Sequence, residues 1–213
     1  MEYKNRNYID IFNPKIERLD SADSAELSLF DAGKGFELFS YYIQINSKTG
    51  VSEAYSDISE GTGVTHLIYN YLDDNKRDIV AYFTISNNVI PYDDGIDDDR
   101  NDLSNYPCIT VAEIKMFAVS EKYQDVFYSF EDTDMPVSAW CLHFVIAYLE
   151  MICEEYISFQ ALFLHSVPTA EDFYIKNGFS PLPNYTRPLY SNDQELTAMW
   201  KVLKPIRINN SEE

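Results

Sequence analysis

The most constraining feature of the sequence is a long apolar segment between two shorter segments of β-strand character. From Val137 to Tyr156, apolar residues recur at positions 137, 141, 144, 145, 148, 152 and 156, which is the spacing of one helix face. Residues 109–119 before it are rich in β-branched side chains, and residues 160–166 after it form a short strand-like run. A helix that joins two strands of one sheet makes a right-handed crossover between parallel strands. The sequence therefore predicts a βαβ unit here.

Two segments upstream predict further strands. Residues 64–71 alternate apolar and polar side chains, residues 79–86 are rich in β-forming residues, and an acidic turn over 73–75 separates them. Two such runs around a short turn favour a hairpin. With residues 109–119 as a third strand, an antiparallel meander is followed by the βαβ crossover. The predicted fold class is α/β, with one mixed sheet and flanking helices.

Other segments before the long helix are less regular. Residues 23–46 favour one or two short helices that are broken near Gly33 and Gly35. Residues 120–136 are polar and predict an irregular connection into the helix that starts at Val137.

The end of the chain predicts one more helix and one more strand. Thr169 is suited to N-cap a short helix over 170–176 that Gly178 ends, and a last strand is expected over 197–203. A chain of 213 residues fits a single domain with small additions. The predicted division is residues 1–22 as an N-terminal extension, 23–204 as the domain and 205–213 as a polar tail.

The chain is strongly acidic. It has 35 Asp and Glu against 16 Lys and Arg, a net charge of −19. Such a surface repels nucleic acid and anionic membrane, because neither can exchange its counterions for protein cations. It favours cationic small molecules or basic protein segments as partners, although high solubility alone also accounts for this charge.

Cysteine usage and hydropathy bear on the compartment. Cys108, Cys141 and Cys153 are odd in number and have no C-x-x-C spacing, so free thiols in a reducing compartment are expected. No signal peptide is expected at the N-terminus. The stretch 137–153 is interrupted by charged and polar residues and is predicted to fall short of a bilayer span. The expected location is the cytoplasm.

The sequence does not predict a metal site. His66, His143 and His165 lie far apart without ligand spacing, and the acidic segment 93–102 lacks the repeated spacing of a calcium loop. A solvated loop is the better interpretation of that segment.

Residues 170–179 carry the most specific motif. They have the pattern Ala-x-x-Phe-Tyr-x-x-x-Gly-Phe, after one predicted strand and before the last. This pattern resembles the A-x-x-F-Y-x-x-x-G-F signature of the GCN5-related N-acetyltransferases (GNAT), and residues 199–203 are similar to the last strand of that family. Phe173 and Phe179 are expected to pack on the sheet, and Gly178 to supply the left-handed exit from the helix.

A second segment resembles the same family. Residues 112–119, followed by Tyr123 and Gln124, are similar to its fourth strand and to the entry into the loop that binds the acyl-CoA diphosphate. The resemblance spans roughly residues 25–203. It implies an acyl-CoA-dependent N-acyltransferase with acetyl-CoA as cofactor. The acidic charge favours a cationic amine on a small molecule or a protein as the acceptor. The toxin-like branch of the family acetylates aminoacyl-tRNA, and the same charge opposes tRNA docking, so that acceptor ranks low.

The resemblance also assigns roles to individual residues. Glu113 matches a general base that deprotonates the amine, and Tyr174 matches a general acid that protonates the departing thiolate. The strand edge that would pair with the pantetheine arm is expected at Phe117, Ala118 and Val119, with Ser166 on the neighbouring strand. The cofactor loop matches Gln124, Asp125, Val126, Phe127, Tyr128 and Ser129.

Each assignment has a simpler alternative. Tyr174 also suits a packed helix tyrosine. Glu113 also suits an ordinary cross-strand ion pair, and Lys115 shares its face of the strand. Phe127 and Ser129 stand where the family's loop has glycines. This change and the acidic charge favour a second hypothesis, a catalytically silent acidic protein of the same fold that binds basic partners.

Overall fold

The computed structural model describes residues 6–22, 24–73, 76–91, 108–182 and 196–203. The chain divides into two compact units. The first contains residues 1–86 and 114–147, and the second contains residues 87–113 and 148–213. The predicted acidic loop over 93–102 and the predicted tail over 205–213 lie outside the described residues.

The described residues form six α-helices and ten strands, and the order along the chain agrees with a mixed α/β fold. The helices are α1 Ser24–Ser28, α2 Glu37–Ile43, α3 Glu53–Glu60, α4 Glu121–Gln124, α5 Val137–Glu155 and α6 Glu171–Lys176. The strands are β1 Asn7–Tyr8, β2 Pro14–Arg18, β3 Val64–Asp73, β4 Lys76–Pro91, β5 Cys108–Val119, β6 Val126–Phe130, β7 Thr133–Pro136, β8 Ala161–Ser166, β9 Ser180–Pro181 and β10 Thr197–Val202.

In the first unit, the main sheet has the order β2-β3-β4-β5, and β3 is antiparallel to both β2 and β4. Helices α1 to α3 pack on these strands through a core that includes Leu27, Ile43, Ala54, Leu67 and Tyr82. The predicted hairpin of β3 and β4 is confirmed, and so are short helices on either side of the predicted glycine break. A second, three-stranded sheet has the order β1-β6-β7.

In the second unit, the sheet has the order β4-β5-β8-β10-β9. Strands β5 and β8 are parallel, and β10 is antiparallel to β8 and β9. Ile90, Ile109, Val111, Ala161 and Phe163 form the buried core beside these strands. The parallel pair on either side of α5 confirms the predicted βαβ crossover, and the mixed sheet confirms the fold class.

Helix α3 is not predicted by the hydrophobic pattern, although its ends carry clear signals. The Ser52 side chain accepts a hydrogen bond from the Tyr55 amide at 3.3 Å at the N-terminus. Gly61 has a φ of 72° and provides the left-handed C-terminal residue. A serine cap and a glycine stop are therefore sufficient to bound this short helix.

Helix α6 starts later than predicted. A 3-10 turn over Pro168–Ala170 precedes it, and Ala170 occupies the N-cap position without a side-chain hydrogen bond. Because the turn includes Thr169, the prediction of Thr169 as the N-cap is wrong. Gly178 follows the helix with a φ of 87°, as its predicted role requires.

Residues 120–136 form a helical turn and a hairpin, which corrects the prediction of an irregular connection. Strands β6 and β7 are antiparallel, and Glu131 and Asp132 form the two-residue turn between them. Both turn residues have positive φ, 46° and 64°. Two-residue hairpin turns of this kind favour Asn and Gly. Because Glu and Asp stand here instead, the sequence does not indicate a turn.

Helix α5 is 19 residues long and has a mean hydropathy of 1.4 in its most apolar window. By length and composition it is long enough to cross a membrane, so the prediction that this segment falls short of a bilayer span is wrong on length. In the structure, 44% of this apolar stretch is buried. The core helix of a soluble protein has the same properties.

Candidate functional site

Glu113 lies on β5 in the second unit, where the register of β5 with β8 ends. The parallel register runs from Val111 opposite Ala161 to Glu113 opposite Phe163. The Glu113 side chain is 18% exposed, so it is sheltered from bulk water and still accessible to a solute. A carboxylate in such a position is suited to proton exchange with a bound molecule.

Side chains from both neighbouring strands contact the Glu113 carboxylate. Asn88 on β4 donates a hydrogen bond from Nδ2 to Oε2 at 3.1 Å. His165 on β8 places Nδ1 3.7 Å from Oε1, an ion-pair distance when the ring is protonated. The two carboxylate oxygens are thus contacted from opposite strands. Sequence reasoning missed Asn88 and His165, because their proximity to Glu113 follows from the strand register.

Lys115, which the sequence offers as an ion-pair partner for Glu113, pairs with Asp57 of α3. Its Nζ lies 2.9 Å and 2.8 Å from the two carboxylate oxygens of Asp57. This pair lies wholly in the first unit. The described contacts of Lys115 therefore account for its charge without Glu113.

Asp57 accepts hydrogen bonds from three side chains. Besides Lys115, Tyr42 donates to Oδ2 at 2.5 Å and Thr62 donates to Oδ1 at 2.7 Å. Burial alone would raise the pKa of Asp57, but the hydrogen bonds from Lys115, Tyr42 and Thr62 outweigh it and lower the pKa. Burial, together with the bond to Asp57, raises the pKa of Tyr42 to about 12. The network holds Asp57 ionised and identifies it as a structural carboxylate.

Tyr174, the predicted general acid, lies on α6 in the second unit and is 8% exposed. Its ring contacts Phe173 and Phe179, with centroids 5.3 Å and 5.7 Å away. Burial raises the pKa of Tyr174 well above the ordinary value of a tyrosine. The hydroxyl therefore keeps its proton at neutral pH, as a general acid requires.

Ser166 ends β8 with an exposed fraction of 1%. Its hydroxyl donates a hydrogen bond to the carbonyl of Val167 at 2.9 Å. The register of β8 with β10 continues to Ser166 opposite Thr197, whereas the register with β5 ends at Phe163. The β5–β8 ladder therefore ends before residues 164–166 of β8. An extended ligand can pair with a strand edge of this kind.

The predicted pantetheine-binding residues on β5 lie in the first unit. Ala118 belongs to the core, Phe117 is partly buried, and the Val119 carbonyl accepts a hydrogen bond from Gln124 Nε2 at 2.8 Å. The next amide, that of Ser120, donates to the Val80 carbonyl at 2.8 Å. Pantetheine binding at this end of β5 stays a prediction.

The predicted cofactor loop, residues 124–129, begins at the end of α4 and continues into β6. Gln124 uses its side-chain amide to bind the carbonyls of Val119 and Ala32, at 2.8 Å and 2.9 Å. Strand β6 pairs with β1 on one side and with β7 on the other. A phosphate cradle needs successive amides that face the ligand. Residues 126–129 form a ladder instead, and diphosphate binding by residues 124–129 stays a prediction.

The two aromatic residues at the start of β6 pack on neighbouring parts of the first unit. Phe127 lies under the guanidinium of Arg6, whose carbon is 4.6 Å from the ring centroid, and Arg6 also pairs with Asp134. Tyr128 contacts Trp140 edge to face, with centroids 6.2 Å apart. The hairpin is therefore fixed by its own aromatic and ionic contacts.

The residues that the structure describes give no support for metal binding, and two of the three cysteines, Cys141 and Cys153, are buried. Among the described residues, no group of three or more His, Cys, Asp or Glu side chains is arranged to hold a metal ion. Cys141 is buried, and burial raises the pKa of its thiol. Cys153 donates from Sγ to the Phe159 carbonyl at 3.1 Å. Buried thiols of this kind are unreactive.

No protein-family model matches the sequence, and no curated protein matches it. Several solved toxin structures are similar in fold. A Tyr→Phe mutant of the AtaT toxin has a TM-score of 0.61 at 14% identity, over 93% of this chain and 95% of that chain. AtaTR bound with acetyl-CoA has a TM-score of 0.58 at 15% identity, over 91% and 95%. AtaT complexed with acetyl-methionyl-tRNAfMet has a TM-score of 0.55 at 15% identity, over 87% and 94%.

At this level of identity the likeness establishes the fold. It extends over about nine-tenths of the chain, so it includes both compact units. The chain therefore has the GNAT fold that the sequence resemblance predicts.

Proposed function

We propose that this chain is an acyl-CoA-dependent N-acyltransferase that transfers an acetyl group to a cationic amine. Glu113 acts as the general base and Tyr174 as the general acid. The observation that carries the proposal is the partly buried Glu113 carboxylate at the end of the β5–β8 ladder, in a fold shared with AtaT. The solved AtaTR structure with acetyl-CoA supports acetyl-CoA as the acyl donor.

The proposed reaction moves two protons, one through Glu113 and one through Tyr174. Glu113 takes one proton from the acceptor ammonium and later releases it to solvent. The resulting amine attacks the thioester carbonyl, so a C–N bond forms and the C–S bond breaks. The CoA thiolate leaves and takes the hydroxyl proton of Tyr174, and Tyr174 recovers a proton from the nitrogen of the new amide. Burial that raises the pKa of Tyr174 makes its phenolate short-lived, which favours this return.

The fit of acetyl-CoA to the chain differs along the length of the cofactor. The pantetheine arm suits the β5-facing side of β8 near Ser166, because main-chain pairing does not depend on side-chain identity. The diphosphate suits residues 124–129 poorly. Asp125 and Glu131 are exposed acids, and two nearby cations have acidic partners. Lys122 is 2.9 Å from Asp78, and Arg6, which lies over Phe127, pairs with Asp134. No step of the proposed reaction depends on that segment.

The acceptor is proposed to be cationic because the net charge of −19 attracts amines in their ammonium form. Small-molecule amines and basic protein segments both meet this requirement. An aminoacyl-tRNA is a second candidate, because AtaT has been solved with acetyl-methionyl-tRNAfMet. The same negative charge opposes tRNA docking in this chain, so tRNA ranks below the other acceptors.

The proposal is tested by incubating the purified protein with radiolabelled acetyl-CoA and three acceptor classes: a polyamine, a lysine-rich peptide and an aminoacyl-tRNA. Label is expected on one of the first two. Tyr174→Phe should lower kcat by about tenfold to a hundredfold, because it removes only the proton donor. Tyr156→Phe, a change at a tyrosine that is 76% exposed, is the matched control and should have no effect.

Two results would contradict the proposal. One is a complete absence of transfer to all three acceptors, which would favour the silent, acidic binding protein. The other is a Tyr174→Phe variant with wild-type kcat, which would remove Tyr174 from the reaction and leave it a packed helix tyrosine.

A further inference from the structure

We propose that His165, assisted by Asn88, is the positioning residue for the Glu113 base. The inference rests on the proposed function and adds two residues that the GNAT resemblance does not supply. It starts from the three-strand cluster of β4, β5 and β8, in which Asn88 and His165 contact different oxygens of one carboxylate.

Strand geometry explains why His165 reaches Glu113. In the parallel ladder, Phe163 stands opposite Glu113, and His165 follows two residues later on the same face of β8. Side chains on strands lean along the strand direction, so the diagonal neighbour is within reach. The carboxylate oxygen Oε1 lies 3.7 Å from Nδ1 of His165 as a result.

The imidazole itself is held in place. Its ring packs edge to face on Phe163, with centroids 4.9 Å apart and planes at 82°. Phe163 is fully buried, and the residue opposite His165 on β10 is Ala198. A ring fixed in this way restricts the rotation of the carboxylate that it faces.

Asn88 and His165 have different chemical roles toward the carboxylate. The amide of Asn88 is a neutral donor that fixes Oε2 at 3.1 Å whatever the pH. The imidazole faces Oε1, and its fixed ring limits the positions that this oxygen can take. Asn88 therefore anchors Oε2, and His165 positions Oε1.

The experiment compares two substitutions at His165 for acetyl transfer, with kcat and KM measured separately. His165→Phe keeps the ring volume and the contact with Phe163 but removes both nitrogens. We expect kcat to fall about tenfold, with KM for acetyl-CoA within about twofold of wild type. His165→Asn restores a nitrogen near the Nδ1 position and should recover kcat to within about threefold of wild type.

A double variant shows whether His165 acts through Glu113. In the Glu113→Gln background, measured at high pH where the free amine needs no base, His165→Phe should change kcat by less than about twofold. A full tenfold loss in that background would overturn the inference, because it would show an effect independent of Glu113. So would a His165→Phe variant with wild-type kcat, or one that loses kcat together with acetyl-CoA affinity and thermal stability.

The outcomes separate this inference from the proposed function. Suppose that the wild-type protein transfers the acetyl group, that Glu113→Gln abolishes this transfer and that His165→Phe leaves it unchanged. This result overturns the positioning role of His165 alone. Absence of transfer by the wild-type protein overturns both.

Discussion

Asp57 in the first unit and Glu113 in the second are both partly buried carboxylates, with side chains 16% and 18% exposed. Their surroundings differ. Asp57 accepts hydrogen bonds from Tyr42 and Thr62, and both of its carboxylate oxygens contact Lys115. The contacts of Glu113 include the Asn88 amide and, at a longer distance, the His165 imidazole. Equal exposure therefore does not imply equal function.

Two histidines, one from each unit, differ in the same way. His66 in the first unit is 6% exposed and stacks on Phe83, with centroids 5.1 Å apart. Burial foremost, and the nearby Arg18, lower the pKa of His66 to about 4. His165 is 23% exposed and faces a carboxylate. Asp57 and His66 are thus held by hydrogen bonds and ring packing within the first unit, whereas Glu113 and His165 face each other in the second unit.

The largest expected effect comes from neutralising the two carboxylates in turn. Glu113→Gln should lower kcat by about 10³-fold near neutral pH, about 4 kcal/mol in activation free energy, because the ammonium loses its base. The rate should recover as the pH rises and the amine deprotonates in solution. Asp57→Asn should keep kcat within about threefold of wild type. Steady-state rates from pH 6 to 10 check both expectations. Equal losses of kcat in the two variants would show that Glu113 and Asp57 do not differ in function.

The pH dependence of stability tests His66. Its folded pKa of about 4 lies below the unfolded value of about 6.5, so the neutral ring stabilises the fold above pH 6.5 and this contribution is lost as the pH falls toward 4. Wild type should lose about 3 kcal/mol more than His66→Phe between pH 7 and pH 4. Urea unfolding at the two pH values measures the difference. Parallel losses in the two proteins would show that His66 is not buried as a neutral ring.

Asp57→Asn is expected to lower the stability of the protein although it leaves kcat nearly unchanged. Asn keeps one acceptor oxygen, so the variant should lose roughly the contribution of one hydrogen bond to a charged group, about 1.5 kcal/mol, at pH 7. Because the folded pKa of Asp57 is lowered, its contribution is present above the ordinary aspartate pKa and disappears as the pH falls through the lower folded value. The gap between wild type and variant should therefore narrow below about pH 4. A stability difference between wild type and variant that stays constant with pH would show that the hydrogen bonds to Asp57 do not lower its pKa.

The smallest effect concerns the β6–β7 turn. Glu131 and Asp132 both have positive φ, so the double substitution Glu131→Asn with Asp132→Gly should stabilise the protein by about 1 kcal/mol. Thermal unfolding measures the gain, and the matched control is Asp134→Asn, which should destabilise because Asp134 pairs with Arg6. Destabilisation by the turn substitution would show that the hairpin is not formed.

The strands and helix of the βαβ unit could be predicted because their signals are local. The apolar spacing of α5 and the β-branched run of β5 determine their conformations independently of distant residues. Gly178, with its positive φ, likewise ends α6 as predicted. In contrast, β6 and β7 depend on a turn of Glu131 and Asp132, which are unusual in that conformation.

The candidate site could be predicted only in part for a related reason. Glu113 and Tyr174 follow from motif positions, whereas their roles stay predictions until they are tested. The contacts of Glu113 with Asn88 and His165 join residues up to 52 positions apart and depend on the register of three strands. The pairing of Lys115 with Asp57 depends on α3, which the hydrophobic pattern does not reveal.

The most direct test of the central claim is a calorimetric titration of the purified protein with acetyl-CoA, accompanied by desulfo-CoA. An acyl-CoA-dependent transferase is expected to bind both ligands with a Kd in the micromolar range, about −8 kcal/mol. Binding should persist in Glu113→Gln, because that substitution removes the base and leaves the cofactor contacts in place. Absence of binding at millimolar acetyl-CoA would contradict the enzyme proposal and leave a GNAT fold that serves as an acidic binding protein.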